Sequence, residues 1–84
     1  MLTEQTVISQ IGVLEDGQLQ IRRSRRIFDN GVQIAEQYHR HVLEPGQDIS
    51  GEDDRVQAVA WVLWLPDVVD AYKEAKRRRE AAVI

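Results

Sequence analysis

The chain has 84 residues, of which 43% are hydrophobic and 30% charged, with two prolines and no cysteine. That describes one small domain, because a disordered chain carries fewer apolar positions and a second core needs more chain. Lys plus Arg number 11 against 14 Asp plus Glu, a formal charge of −3, which excludes a binder that holds nucleic acid by bulk positive charge, while the lack of cysteine excludes disulfides, a thiolate nucleophile and a cysteine-based zinc site.

The opening Met1 to Gln10 carries Glu4 and no basic stretch ahead of an apolar run, and no run approaches the roughly 18 residues of a membrane span. The expectation is a soluble, unprocessed chain that suits a reducing cytoplasm and has no membrane partner. A chain this short buries only about 60–65% of its unfolded surface, so with no disulfide or metal to staple it, self-association into a homo-oligomer is the expected source of further buried area.

In chain order, Asp16-Gly17 and Asn30-Gly31 favour the positive-φ residues of two-residue hairpin turns. They predict three antiparallel strands, about 5–14, 18–28 and 32–43. A turn at Asn30-Gly31 pairs Ile27 with Ile34, Arg25 with Glu36, Arg23 with Tyr38, Ile21 with Arg40 and Leu19 with Val42. A turn at Asp16-Gly17 pairs Leu14 with Leu19, Gly12 with Ile21, Ile8 with Arg25 and Thr6 with Ile27. The first strand is then apolar on both sides, and Val7, Ile11 and Val13 form a sheet face that another chain or a terminal segment must cover; the alternative is a β-bulge that swaps the facing halfway along.

Glu44-Pro45-Gly46 ends the strand pattern, and Ser50-Gly51-Glu52-Asp53 has the spacing of a helix cap with Ser50 as the cap residue. Val56, Val59, Ala60 and Leu63 follow helical spacing, and Trp61, Val62, Trp64 and Leu65 widen the apolar stripe so far that the helix reads as buried on most of its circumference. Pro66 breaks that helix, predicting helices at about 51–65 and 67–82. In the second, Asp67 and Asp70 lie near the positive end of the helix dipole and Lys73 to Arg79 near the negative end. The fold expected is therefore α+β, a three-stranded meander followed by two helices in one domain, 1–84.

Chemistry is sparse. His39 and His41 point the same way from a strand and could share an ion, but Arg22 and Gln20 are their expected cross-strand neighbours, so pairing or exposed histidines are expected and no metal is assigned. Arg22-Arg23-Ser24-Arg25-Arg26 places two guanidinium groups on each face, a pattern that fits phosphate but lacks interleaved aromatics. Its structural reading pairs Arg25 with Glu36 and stacks Arg23 on Tyr38, leaving Arg22 and Arg26 for solvent or a neighbouring subunit. Asp48, Glu52, Asp53 and Asp54 lack the ligand alternation of a calcium loop and suit helix capping. With no phosphate loop, nucleophile elbow or carboxylate pair in an apolar pocket, no enzyme, catalytic residue or cofactor is expected. Trp61 and Trp64 read as core or interface anchors, at least one of them buried.

Longer strings carry a likeness: Val13-Leu14-Glu15-Asp16-Gly17-Gln18-Leu19-Gln20-Ile21-Arg22, the turn Asp29-Asn30-Gly31-Val32, the run Tyr38 to Asp48, Asp54-Arg55-Val56-Gln57-Ala58, and Trp64 to Tyr72. In these the chain resembles small proteins, or end modules of tail proteins, encoded in the tail-gene region of tailed bacteriophages and prophages. The likeness spans about residues 7–72 and leaves out Lys73 to Arg79. It implies a virion or tail-assembly context, in the particle or in the host cytoplasm during assembly, with other tail proteins as partners and no reaction. The interface expected on this reading uses Val7, Ile11, Val13, Arg22, Arg26, Trp61 and Trp64. The rival is a small nucleic-acid-binding or regulatory protein that uses Arg22 to Arg26 and the basic end of the last helix.

Overall fold

Asn30 and Gly31 both adopt left-handed backbone, with φ of 50° and 83°, which is the requirement of a type I′ turn and closes a hairpin between β2 (Leu19–Asp29) and β3 (Val32–Leu43). In this computed structural model, which describes residues 1–82, β1 (Leu2–Val13) pairs antiparallel with the other edge of β2, and α1 (Asp54–Leu63) and α2 (Pro66–Ala82) follow. The expected α+β meander with two helices is what forms, and the chain breaks between helices at Trp64-Leu65 as Pro66 requires. Pro66 occupies the first helical position, where its missing N–H leaves nothing unpaired. The last two positions of the expected 1–84 domain lie outside the described residues.

The registers differ from expectation in ways that decide which residues share a face. Beside the Asn30-Gly31 turn, Asp29 faces Val32 and Phe28 faces Gln33, but Ile34 is then bulged out and Ile27 faces Ala35. Beyond the bulge Arg26, not Arg25, opposes Glu36, Ser24 opposes Tyr38, Arg22 opposes Arg40, and Leu19 opposes Leu43. The slip puts Leu43, 2% exposed, into the core and leaves Val42 49% exposed outside it, whereas the expected register does the reverse.

At the other hairpin Leu14 N–H donates to the Gln18 carbonyl and Gly17 N–H to that of Leu14, so Glu15-Asp16-Gly17 form a three-residue loop rather than a two-residue turn. Gly17 takes the left-handed position of such a loop, with φ 96°. Val13 rather than Leu14 therefore faces Leu19. A second bulge interrupts β1 between Ile8 and Gln10. It turns both Ile8 and Ile11 toward the core, where they pack against its buried side chains. The alternative weighed for this strand, a facing swap halfway along, is the one realised. Val7, Ile11 and Val13 accordingly share no single face: Val7 faces Ser24 on the far side of the sheet, Ile11 is a core neighbour, and Val13 is left exposed.

α1 begins one residue past Asp53, whose carboxylate accepts the Arg55 N–H, rather than at Ser50. Ser50 is instead held in a tight turn by its own N–H to the Asp48 side chain. The helix lays Val56 and Ala60 on Leu19, Ile21 and Leu43, and this small cluster is the core. α1 is not buried on most of its circumference, because the sheet covers one side and α2 docks instead on the turns at the sheet's end. Tyr72 is buried and its hydroxyl donates to Glu44 at 2.8 Å, while a Cβ on Gly17 or Gly46 would come within 2.9 Å of Val68 or Val69. Only the near end of the sheet is covered. From Val32 to Arg40 every residue of β3 is exposed, and the molecule is drawn out to 54 × 30 × 20 Å.

Candidate functional site

The uncovered side of α1 follows directly from that one-sided packing. Trp61, Val62 and Leu65 are 86%, 74% and 54% exposed; Val59, Leu63 and Val68 lie half-buried beside Val62 and Leu65, and Trp61 borders a second depression with Trp64, Leu65 and Pro66. A recess lined by Val59, Val62, Leu63, Leu65 and Val68 lies between the two helices and is almost wholly apolar. Trp64, by contrast, packs against the core and donates its indole N–H to the Gly17 carbonyl at 2.7 Å. Neither expected anchor is fully buried, contrary to expectation: Trp64 is half-buried and ties the end of α1 to the β1–β2 turn, and Trp61 faces outward.

The second feature is the sheet face turned away from the helices, which carries Gln10, Gly12, Gln20, Arg22, Ser24, Arg26, Glu36, Tyr38, Arg40 and Val42. At its centre Glu36 accepts the Ser24 hydroxyl at 2.5 Å, the Tyr38 hydroxyl at 2.8 Å and the Arg26 Nε–H at 3.0 Å. These three donors, in that order of weight Ser24, Tyr38 and Arg26, hold the Glu36 carboxyl at about 2, well below its ordinary 4.5. Ser24 is fully buried beneath the network. Arg22 lies over the Tyr38 ring, its Cζ 4.6 Å from the centroid, and Arg40 lies 5.7 Å from the same ring. Arg22 also donates through Nε to Ser9 Oγ at 2.9 Å.

The arginine cluster is therefore divided differently from expectation. Arg25 pairs with Glu4 rather than Glu36, in a fork at 2.6 and 2.9 Å, and Arg22 rather than Arg23 stacks on Tyr38. Both corrections follow from the bulge at Ile34, which shifts β3 from Ala35 to Leu43 along by one residue. His39 and His41 do share a face, with ring centroids 6.1 Å apart, but the same slip makes Arg23 and Ile21 their cross-strand neighbours rather than Arg22 and Gln20. His41 Nε2 lies 3.1 and 3.2 Å from the two carboxylate oxygens of Glu52. Among the described residues no group of three metal-ligating side chains comes together.

Sequence reasoning missed Arg40, Tyr38, Glu36 and Ser24 as one group, and Val62 with Leu65 as an exposed patch. Their signal lay in the alternation of β3, where Glu36, Tyr38, Arg40 and Val42 fall on one face in any register, and in an α1 stripe too wide for one sheet. No helix is long and apolar enough to cross a membrane. Comparison with protein-family models, with curated proteins and with solved structures finds no match.

Proposed function

We propose that this protein is a non-enzymatic structural or assembly component, built to self-associate, of a phage tail or related particle. The observation that carries the reading is the apolar patch of Trp61, Val62 and Leu65 with the recess beside it, an arrangement that exposes large side chains in a chain otherwise rich in charge. Covering each such side chain contributes about 1.5–3 kcal/mol, and a symmetric pair of copies covers each of them twice, the gain that offsets the cost of association. The occupant proposed is a second copy. α2 carries Asp67 and Asp70 toward its start and Lys73 and Arg79 further along, none of them in an ion pair among the described residues, so two copies packed side by side and antiparallel bring acids against bases.

The tail context rests on the resemblance in the strings around residues 13–22 and 38–72, and the drawn-out shape suits a part that bridges neighbours. The rival nucleic-acid reading is less favoured, because Arg25 and Arg26 are engaged by Glu4 and Glu36 and Arg77 and Arg78 by Glu74. Analytical ultracentrifugation over micromolar concentrations tests the self-association: a dimer or larger species is expected, with Val62→Asp shifting it to monomer while the circular dichroism spectrum is kept. A wild-type chain that stays monomeric throughout the range would overturn it. Genes flanking this one that encode tape-measure, baseplate or fibre proteins support the tail context, and a transcription or plasmid-maintenance cassette supports the rival.

A further inference from the structure

We infer that Arg22 and Arg40 form a binding site for a compact oxyanion, a carboxylate or a phosphate group, on the sheet face turned away from the helices. Arg22 and Arg40 are direct cross-strand partners on that face. Like charges so placed repel, and a sheet normally sets an acid between or beside them. Here the carboxylate that the strands place on this face, Glu36, already accepts from Ser24, Tyr38 and Arg26. Neither Arg22 nor Arg40 forms an ion pair among the described residues, although each lies against the Tyr38 ring.

The position of the pair favours a ligand rather than solvent alone. A depression of about 240 Å³ adjoins the pair, its lining including Arg22, Arg40, Gln10, Gly12, Gln20 and Val42. Gly12 contributes no side chain to it, and the amides of Gln10 and Gln20 can donate to an oxygen lodged there. Arg22 is pre-set: its Nε is held by Ser9 Oγ and its plane by the tyrosine, so its two terminal nitrogens keep a fixed direction and little freedom is lost on binding. Arg40 supplies the second fork. The size and the count of two arginines fit one discrete anionic group and not a polyanion track, since Arg26 is neutralised on the same face and the whole chain is acidic. An oxyanion seated there removes the repulsion between the arginines, so binding and stability are coupled.

The test uses the full chain at fixed ionic strength, with sodium phosphate or sodium glutarate replacing chloride, followed by thermal melting and by amide shifts of Gly12 and Gln10 in NMR titrations. Phosphate or glutarate is expected to raise the wild-type Tm and shift those amides. Arg40→Gln is expected to weaken binding about tenfold or more and, in chloride alone, to melt above wild type because the repulsion is gone. Arg40→Lys, which keeps the charge and loses the fork, should retain the low Tm and still bind weakly. A response to phosphate alone assigns the source as phosphate, a response to glutarate alone assigns an acidic side chain, and either supports the site. Equal effects on wild type and Arg40→Gln, an Arg40→Gln variant that melts below wild type in chloride, or binding of a thymidine oligonucleotide without either small anion would overturn it.

Discussion

Replacing Trp64 and Trp61 in turn separates an internal tie from an outward contact on a single helix. Trp64 packs against the core cluster, and its indole N–H reaches the Gly17 carbonyl at 2.7 Å. Trp64 is half-buried, so truncation to Ala removes part of a core aromatic's contacts and leaves the Gly17 carbonyl unpaired, a loss of about 2–4 kcal/mol. Small domains have about 5 kcal/mol in all, so Trp64→Ala should keep only a small margin of stability at 37 °C. Trp64→Phe keeps most of the packing and isolates the hydrogen bond, for which the expected cost is about 1–2 kcal/mol. Trp61, at 86% exposed, has little to lose in the monomer, and Trp61→Ala should change stability by less than about 0.5 kcal/mol when measured at high dilution. Its effect should appear instead as a loss of the concentration dependence of the melting temperature. Urea unfolding followed by circular dichroism at two protein concentrations reads all of these. Equal destabilisation by Trp61→Ala and Trp64→Ala at high dilution would refute the division of roles and return both indoles to the core.

Glycine replacements should be graded by what their new Cβ meets. Gly31→Ala, with φ 83° and open space around it, should cost about 1 kcal/mol for the left-handed backbone alone, and Gly17→Ala, where Val68 lies at 2.9 Å and Pro45 at 3.2 Å, distinctly more in the same urea assay. Arg25→Ala should change the urea midpoint only slightly, since its pair with Glu4 is half exposed on both sides and screened by solvent. Glu36 has its folded-state pKa lowered to about 2 from 4.5, so its stabilisation is full above about pH 4.5 and is lost as the pH falls toward 2. Acid titration of wild type against Glu36→Gln, followed by circular dichroism, should show a shallower loss of stability over this window in the variant, the remainder belonging to Glu4, Asp16, Glu44 and Asp48, whose carboxyls are also held below their ordinary values.

The local chemistry of the chain was legible and its alignments were not. The meander, the turn at Asn30-Gly31 and the helix break at Pro66 each depend on one or two residues whose backbone preferences act alone. Register depends on choices spread over a whole strand. Leu43 and Val42 are adjacent and similarly apolar, so their own chemistry does not say which of them turns inward; the bulge at Ile34, where β3 projects beyond the helices, brings Leu43 to the core side. The bulge at Ser9 solves the same problem in β1, bringing Ile8 and Ile11 to one side, and the displaced Ser9 hydroxyl both donates to the Arg22 carbonyl and accepts from the Arg22 Nε–H.

Those two bulges also determine what the exposed face can do. Without the slip at Ile34, Glu36 would oppose Arg25 on the helix side, and Tyr38 and Arg40 would leave Arg22 behind. With it, Glu36 draws in Ser24, Tyr38 and Arg26, and Arg22 is brought opposite Arg40. The Ser9 bulge then fixes the Arg22 side chain at the edge of the depression that Gly12 keeps open. The irregularities that let a small core close on one side of the sheet thus concentrate unpaired positive charge on the other. The same small core leaves α1 half covered, so Trp61, Val62 and Leu65 are exposed for the same reason that the sheet extends bare beyond the helices: the core cluster between α1 and the sheet is built on five buried side chains, Leu19, Ile21, Leu43, Val56 and Ala60. A chain with so little interior gains most by burying the remainder against a neighbour.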